Sequence, residues 1–291
     1  MKKDEIIQQI VADVTKALEE KTSPWRPDWN TSKANPFVPY NPFTHRHYRG
    51  INYLKLMMLG HIKGYSSNCW FTFNQIRQNG GMVNKGEKGT KIFFYQIKEK
   101  ENKDGDLETF PVFKAYTVFN QDQAEWLEEP EKTQGKIVFT PETESMQHIA
   151  ESLGVKLRHG GGRCYYSPSE DQVTLPNPDD FESTASYFAA AIHEFTHSTS
   201  HTSRLNRDVW GAEKSRDKSY AFEELVAEIG SAYLCTLLDI KGNLQHTEYI
   251  KAWLSMFKEK PEKLLQACTK GQQAADYILE VSSIQKKLKT N

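Results

Sequence analysis

The sequence has no run approaching the roughly 18 consecutive apolar residues that a membrane helix needs, which excludes a helical membrane span. Charges interrupt every apolar stretch through Glu20, so no secretory signal peptide is read at the start. Cysteine is scarce and scattered: Cys69, Cys164, Cys235 and Cys268 contain no CxxC pair. That pattern excludes a disulfide framework and a cysteine-built zinc cluster. It fits a cytoplasmic protein with reduced thiols. Internal repeats and low-complexity tracts are absent, so a solenoid is excluded as well. Acidic residues are almost missing from one long segment. Between positions 21 and 98 there are two, Asp28 and Glu87, against twelve lysines and arginines.

What is present is more specific. The chain has 291 residues, 38% hydrophobic and 26% charged, enough for two cores and too apolar for general disorder. Its net charge of −1 conceals +10 over residues 21–98 and −11 elsewhere. The same segment holds 14 of the 34 aromatic residues.

The clearest boundary is the polar stretch from Glu128 to Gly135, with Pro130 inside it. We place domains at 1–127 and 141–291, joined by a linker at 128–140. The fold class expected is α+β throughout. In the first part, Ile6, Ile10, Val14 and Leu18 recur four apart and predict an amphipathic helix. A Pro/Asn-rich stretch follows, then a short helix at Tyr53–Leu59. Strands are expected at Thr90–Lys98 and Pro111–Phe119, with a hairpin turn at Asp104-Gly105. The second part reads as mostly helical with a small β-sheet. Its helices are expected at Glu142–Leu153, Thr184–Ser198, Tyr220–Leu238, His246–Lys258 and Ala274–Lys287. Its strands are expected at Arg163–Ser167 and Gln172–Leu175.

Within the helical context Ala189–His197 lies His193-Glu194-Phe195-Thr196-His197. Positions i and i+4 share one helix face, so both imidazoles can reach one ion. Glu194, one position along, can take a proton from water at that ion. A second helix supplies acids among apolar residues: Glu223, Glu224 and Glu228 sit with Ala221, Phe222, Leu225, Val226 and Ile229. Inward-facing carboxylates need a partner, and a divalent cation is one. Glu224 and Glu228 are i, i+4 neighbours, so Glu224 can ligate while Glu228 accepts a hydrogen bond from a ligand histidine. Glu223 has Ala227 at its own i+4 position; it remains the rival for the third ligand. Two histidines and one glutamate leave a coordination position open, the catalytic pattern. Such a set accepts Zn2+ or Mn2+. His201 lies too far along the helix for the same ion. It and Tyr220 are the candidates for an oxyanion stabiliser.

Residues 21–98 combine cations with rings, the pairing used to hold single-stranded nucleic acid. Trp25 and Trp29 flank Arg26. Arg46, Tyr48, Arg49 and Asn52 follow one another closely, and Trp70 leads an aromatic run to Phe73. Lys85, Lys88 and Lys91 stand in a glycine-containing loop. Taken singly, each ring reads as core packing rather than a stacking surface, whereas the collective charge points to a polyanion.

Both halves resemble one family. His193–His197, Arg204-Leu205-Asn206-Arg207 and Glu223–Gly230 are similar to the zincin peptidase domain of ArdC-type antirestriction proteins, also found in TraC primases. Tyr165-Tyr166 and Val173–Pro176 resemble the edge strand such domains place beside the metal helix. The Glu224-x-x-x-Glu228 spacing resembles a thermolysin-type third-ligand helix, where the later position is usually Asp. Trp25, Tyr48–Asn52, Trp70–Phe73 and Lys85–Gly89 resemble the family's N-terminal single-stranded-DNA-binding domain. The resemblance implies an antirestriction protein of a mobile element that binds single-stranded DNA and carries a zinc metallopeptidase site. It also implies a protein substrate or a restriction enzyme as a second partner, and no membrane. A DNA-binding protein with a non-catalytic metal domain, and a peptidase that cleaves a repressor, are the alternatives.

Overall fold

The structure is a computed structural model that describes residues 3–20, 25, 38–101, 107–132, 143–207, 216–242 and 249–282. It is an α+β protein whose sheets are small and whose second half is dominated by helices.

Helix α1 (Lys3–Glu19) follows the four-residue periodicity and buries Ile10, Val14 and Leu18. Helix α2 (Ile51–Lys63) is longer at both ends than its apolar signal suggests. Gly64 closes it in the left-handed conformation, a common helix stop. Between the first helices, β1 (Tyr40–Asn41) and β2 (Arg46–His47) make a small hairpin. Strand β3 (Trp70–Thr72) runs into helix α3 (Phe73–Gln78). There Thr72 and Gln75 form a reciprocal capping box. Strand β4 (Gly81–Val83) pairs with β7 (Ala124–Trp126). The main sheet of this half is β3, β6 (Leu107–Asn120) and β5 (Thr90–Glu101), with β6 in the centre. Strands β5 and β6 form one long hairpin in continuous register from Thr90↔Val118 to Glu101↔Leu107. The Asp104-Gly105 turn lies outside the described residues.

In the second half, α4 (Thr143–Leu153) leads into a three-stranded sheet in the order β8, β10, β9. Strand β10 (Gln172–Leu175) pairs parallel with β8 (Lys156–His159) and antiparallel with β9 (Tyr165–Ser167). Strand β8 is absent from the sequence expectation. Helix α5 spans Thr184–Ser198, as the sequence predicts, and Ser183 Oγ caps it by accepting the Ser186 N–H at 3.1 Å. Helix α6 (Arg216–Leu237) crosses helix α8 (Glu262–Val281) at a glycine pair. A Cβ on Gly230 would lie 2.9 Å from the Gly271 carbonyl oxygen. Helix α8 begins well before the expected Ala274, and Gly271 within it makes the close crossing with Gly230. Helix α7 (Ile250–Glu259) precedes it.

Two hydrophobic cores draw on both halves of the chain. In one, Ile10, Val14, Trp25, Leu54 and Met58 pack with Leu225, Ile229, Trp253, Phe257 and Cys268. In the other, Tyr53 and Met57 join the core around α5. The stretch after β7 packs back as well: Asn68 donates its N–H to the Lys132 carbonyl at 3.1 Å. The remaining linker, 133–140, lies outside the described residues.

Candidate metal centre

Helix α5 is rich in alanine and buried nearly all round, with Tyr187, Phe188, Ile192 and Phe195 on its apolar surface. Its polar hydroxyls turn back to the helix: Thr196 donates to the Ile192 carbonyl at 2.7 Å and Ser198 to the Phe195 carbonyl at 2.8 Å. His193 and Glu194 are buried, and His197 is nearly so.

Helix α6 lays its carboxylates against that face. The two Nε2 atoms of His193 and His197 are 3.1 Å apart. Glu224 oxygens lie 3.6 Å from His193 Nε2 and 3.4 Å from His197 Nε2. A tetrahedron with bonds of about 2.0–2.1 Å has corners roughly 3.3 Å apart, so these three donors stand where one ion can bind them together. All three lie within 4.8 Å of one another, and they form the metal-compatible group found among the described residues. The buried donors and the mutual distances fit a divalent cation.

The other faces of both imidazoles meet carboxylates. His193 Nδ1 is 4.0 Å from Glu228 Oε1, and His197 Nδ1 is 3.7 Å from Glu223 Oε1. Glu223 is therefore not placed with Glu224. Arg207 grips it through Nε (3.2 Å) and Nη2, while donating to Thr199 Oγ1 and to the Thr196 carbonyl. Burial opposes the charged form of Glu223, but Arg207 and His197 together outweigh it and lower its pKa. Glu224 is held ionised in the same way, burial being overcome by His197 and His193. For His197 the balance is reversed in sign. Burial favours the neutral ring, yet Glu224 and Glu223 hold its pKa well above 6.5 in the absence of a cation.

Tyr220, 42% exposed, borders Glu224 and Tyr249; burial, then the Glu224 carboxylate, pushes its phenol far up, so it stays a proton donor. His201 points elsewhere: its Nδ1 meets Ser203 Oγ at 2.7 Å and Asp171 at 3.9 Å. Arg204 ties the same turn to Asp171, to Tyr166 and to the Ser198 and Leu153 carbonyls. Cys164, beside strand β9, lies close enough to Glu194 that burial and this carboxylate push its thiol up to about 11.

The basic half departs from the sequence expectation at four positions, Trp25, Trp70, Tyr48 and Asn52. Trp25 and Trp70 are each 1% exposed, so neither ring can stack on a base. Trp25 packs edge-on against Trp253, and Trp70 against Tyr65. Tyr48 is half-buried, donating to the Trp70 carbonyl and accepting from Asn41, both at 3.1 Å. Asn52 clamps the backbone of Phe93 through both ends of its amide, at 2.6 and 2.9 Å. Arg49 remains exposed while pairing with Asp276 of α8. Arg46, Lys85, Lys88 and Lys91 do face solvent, although Lys91 Nζ also reaches Thr117 Oγ1 at 2.6 Å. Among the described residues of this half, the exposed rings are Phe43, Phe73, Phe94 and Tyr116, the last two in edge contact.

Sequence reasoning did not find Arg207, the role of Glu223, or the place of Trp25. Arg207 had a signal, the Arg204–Arg207 segment close behind the metal helix. Trp25 had none.

Comparison with known proteins settles the lineage. The model of the N-terminal domain of anti-restriction factor ArdC matches residues 4–119, and that of a zincin-like metallopeptidase matches residues 144–270. The metal-free crystal structure of antirestriction ArdC from plasmid R388 superposes with a TM-score of 0.80 at 33% identity, covering 95% of this chain and 97% of that one. The chain belongs to the ArdC antirestriction family. The Mn(II)-bound structure of the same R388 protein gives 0.77 at 34%, over 95% and 98% of the two chains. The DNA primase TraC of Escherichia coli is 32% identical over 94% of this chain. That match spans about a quarter of the primase, 27% of its length. No helix among the described residues is long and apolar enough to cross a membrane.

Proposed function

We propose that the chain is an antirestriction protein of a mobile element that binds single-stranded DNA through its basic half and carries a metallopeptidase site in the other. The observation that carries this reading is the convergence of His193, His197 and Glu224 beside buried Glu194. In this reading His193, His197 and Glu224 hold one divalent ion, zinc or manganese. When bound, the ion supplies Lewis acidity, polarising a carbonyl and lowering the pKa of a water towards about 7. Glu194 takes the proton of the attacking water and returns it to the leaving amine. Glu228 and Glu223 fix the two imidazoles. Tyr220 donates to the developing oxyanion. Strand β9, an edge of its sheet, offers backbone groups to an extended peptide. The protein partner is a peptide substrate or a restriction enzyme.

For DNA, Arg46, Lys85, Lys88 and Lys91 supply phosphate contacts. Phe94 and Tyr116 supply ring faces in place of the buried tryptophans.

Glu194→Gln is the decisive variant, because it removes the base and leaves the three donors. Loss of antirestriction with metal still bound supports the reading. Full antirestriction in that variant shows instead that the metal domain is non-catalytic and that protection comes from binding DNA alone.

A further inference from the structure

Trp25 belongs by sequence to the DNA-associated half, yet its side chain ends at the metal centre. Its Nε1–H donates to Glu228 Oε2 at 3.1 Å, across a separation of 203 residues. The other oxygen of that carboxylate is the one 4.0 Å from His193 Nδ1. On its far side, His193 Nε2 faces Glu224 and His197. Indole, carboxylate and imidazole thus stand in series, with exposures of 1%, 1% and 2%. The indole is itself fixed, edge-on to Trp253 at 5.4 Å between ring centres.

We infer that Trp25 is a positioning residue of the metal centre, supplied by the N-terminal half and acting through Glu228. The inference rests on His193 being a metal ligand. A buried carboxylate is costly unless its oxygens meet donors. Trp25 pins one oxygen of Glu228, which aims the other at His193 and fixes the imidazole plane. Residues that orient metal-bound histidines change affinity nearly as much as the ligands do. The metal centre is therefore not self-contained in the zincin-like half. Any displacement of the Trp25 side chain reaches the metal centre through Glu228 and His193.

The test uses the full chain and measures Mn2+ and Zn2+ affinity by competition with a chromogenic chelator. The proteins are the wild type, Trp25→Phe, Glu228→Gln and the double variant. Trp25→Phe keeps a ring against Trp253 and deletes the donor. It is expected to weaken metal binding about tenfold in the wild type and by less than twofold in the Glu228→Gln background. An equal loss in both backgrounds, or a loss under twofold in the wild type, overturns the inference. The wild type gives a second reading that does not depend on a variant folding: the Trp25 indole N–H resonance shifts when Mn2+-free Zn2+ is added. A resonance that stays in place overturns the inference too. His193→Ala separates the two levels of the account. Retained metal in that variant removes the ligand assignment, whereas lost metal with a silent Trp25→Phe removes only the coupling.

Discussion

Arg207 binds both carboxylate oxygens of Glu223. The neighbouring Glu224 turns instead to His193 and His197, at 3.6 and 3.4 Å. Two glutamates adjacent in sequence thereby have different partners: one balances an arginine beside His197, the other faces His193 and His197. Arg207 also holds the Thr196 carbonyl and Thr199 Oγ1, so it fastens the end of α5 to α6.

Removing Arg207 leaves a buried charge uncompensated. Arg207→Met is expected to cost about 3–5 kcal/mol in urea unfolding of the metal-free protein. Adding Glu223→Gln should recover most of that loss, because it removes the stranded charge. An Arg207→Met protein as stable as the wild type contradicts the pairing.

Metal loading should release a proton near neutral pH. Without metal, Glu224 and Glu223 outweigh burial and raise the pKa of His197. A group raised on folding stabilises fully below its unfolded value, about 6.5, and less as pH rises through the folded value. Glu224 is lowered, so its contribution is complete above about 4.5 and is lost as pH falls through its folded value. The metal-free protein should thus melt highest between about pH 4.5 and 6.5, and metal affinity should rise with pH. Titration calorimetry in two buffers of different ionisation enthalpy measures the proton directly.

The glycine crossing of α6 and α8 should tolerate no side chain. The nearest neighbour of an added Cβ on Gly230 is backbone, the Gly271 carbonyl at 2.9 Å, which cannot swing aside. Gly230→Ala is expected to lower stability by about 1–3 kcal/mol. Because α6 carries Glu224 and Glu228, metal affinity should fall in the same protein. Thermal unfolding and chelator competition check both.

On the DNA side, solvent-facing residues should matter and buried rings should not act as stacking partners. Phe94→Ala or Tyr116→Ala is expected to weaken single-strand binding by about 1–3 kcal/mol with the fold intact. The Lys85→Ala/Lys88→Ala double variant should flatten the slope of log K against log salt by about 1.4. Fluorescence anisotropy over a salt series measures both effects.

The parts of the molecule governed by local spacing were legible in the sequence. The His193–His197 motif works through one helix face, and the limits of α5 agree with its capping serine and alanine-rich run. Choosing Glu224 over Glu223 followed from i, i+4 geometry. What lay beyond reach depends on contacts between distant segments. Composition counts Trp25 and Trp70 as rings near cations, but only packing shows that both are buried. Asn52 and Tyr48 carry polar ends that the backbone of β5 and β3 consumes. Nothing local in the sequence marks Gly271 as the partner of Gly230 in a close helix crossing. Strand β8 is short and polar, and it pairs only because β10 lies beside it.

The central claim is that His193, His197 and Glu224 hold one divalent ion. Anomalous diffraction from crystals grown with Mn2+ or Zn2+ tests it most directly. The account predicts a single peak in this half, about 2.0–2.2 Å from both Nε2 atoms and a Glu224 oxygen, with Glu223 still on Arg207. A peak bonded to Glu223 instead, or none between the two histidines under saturating metal, contradicts it.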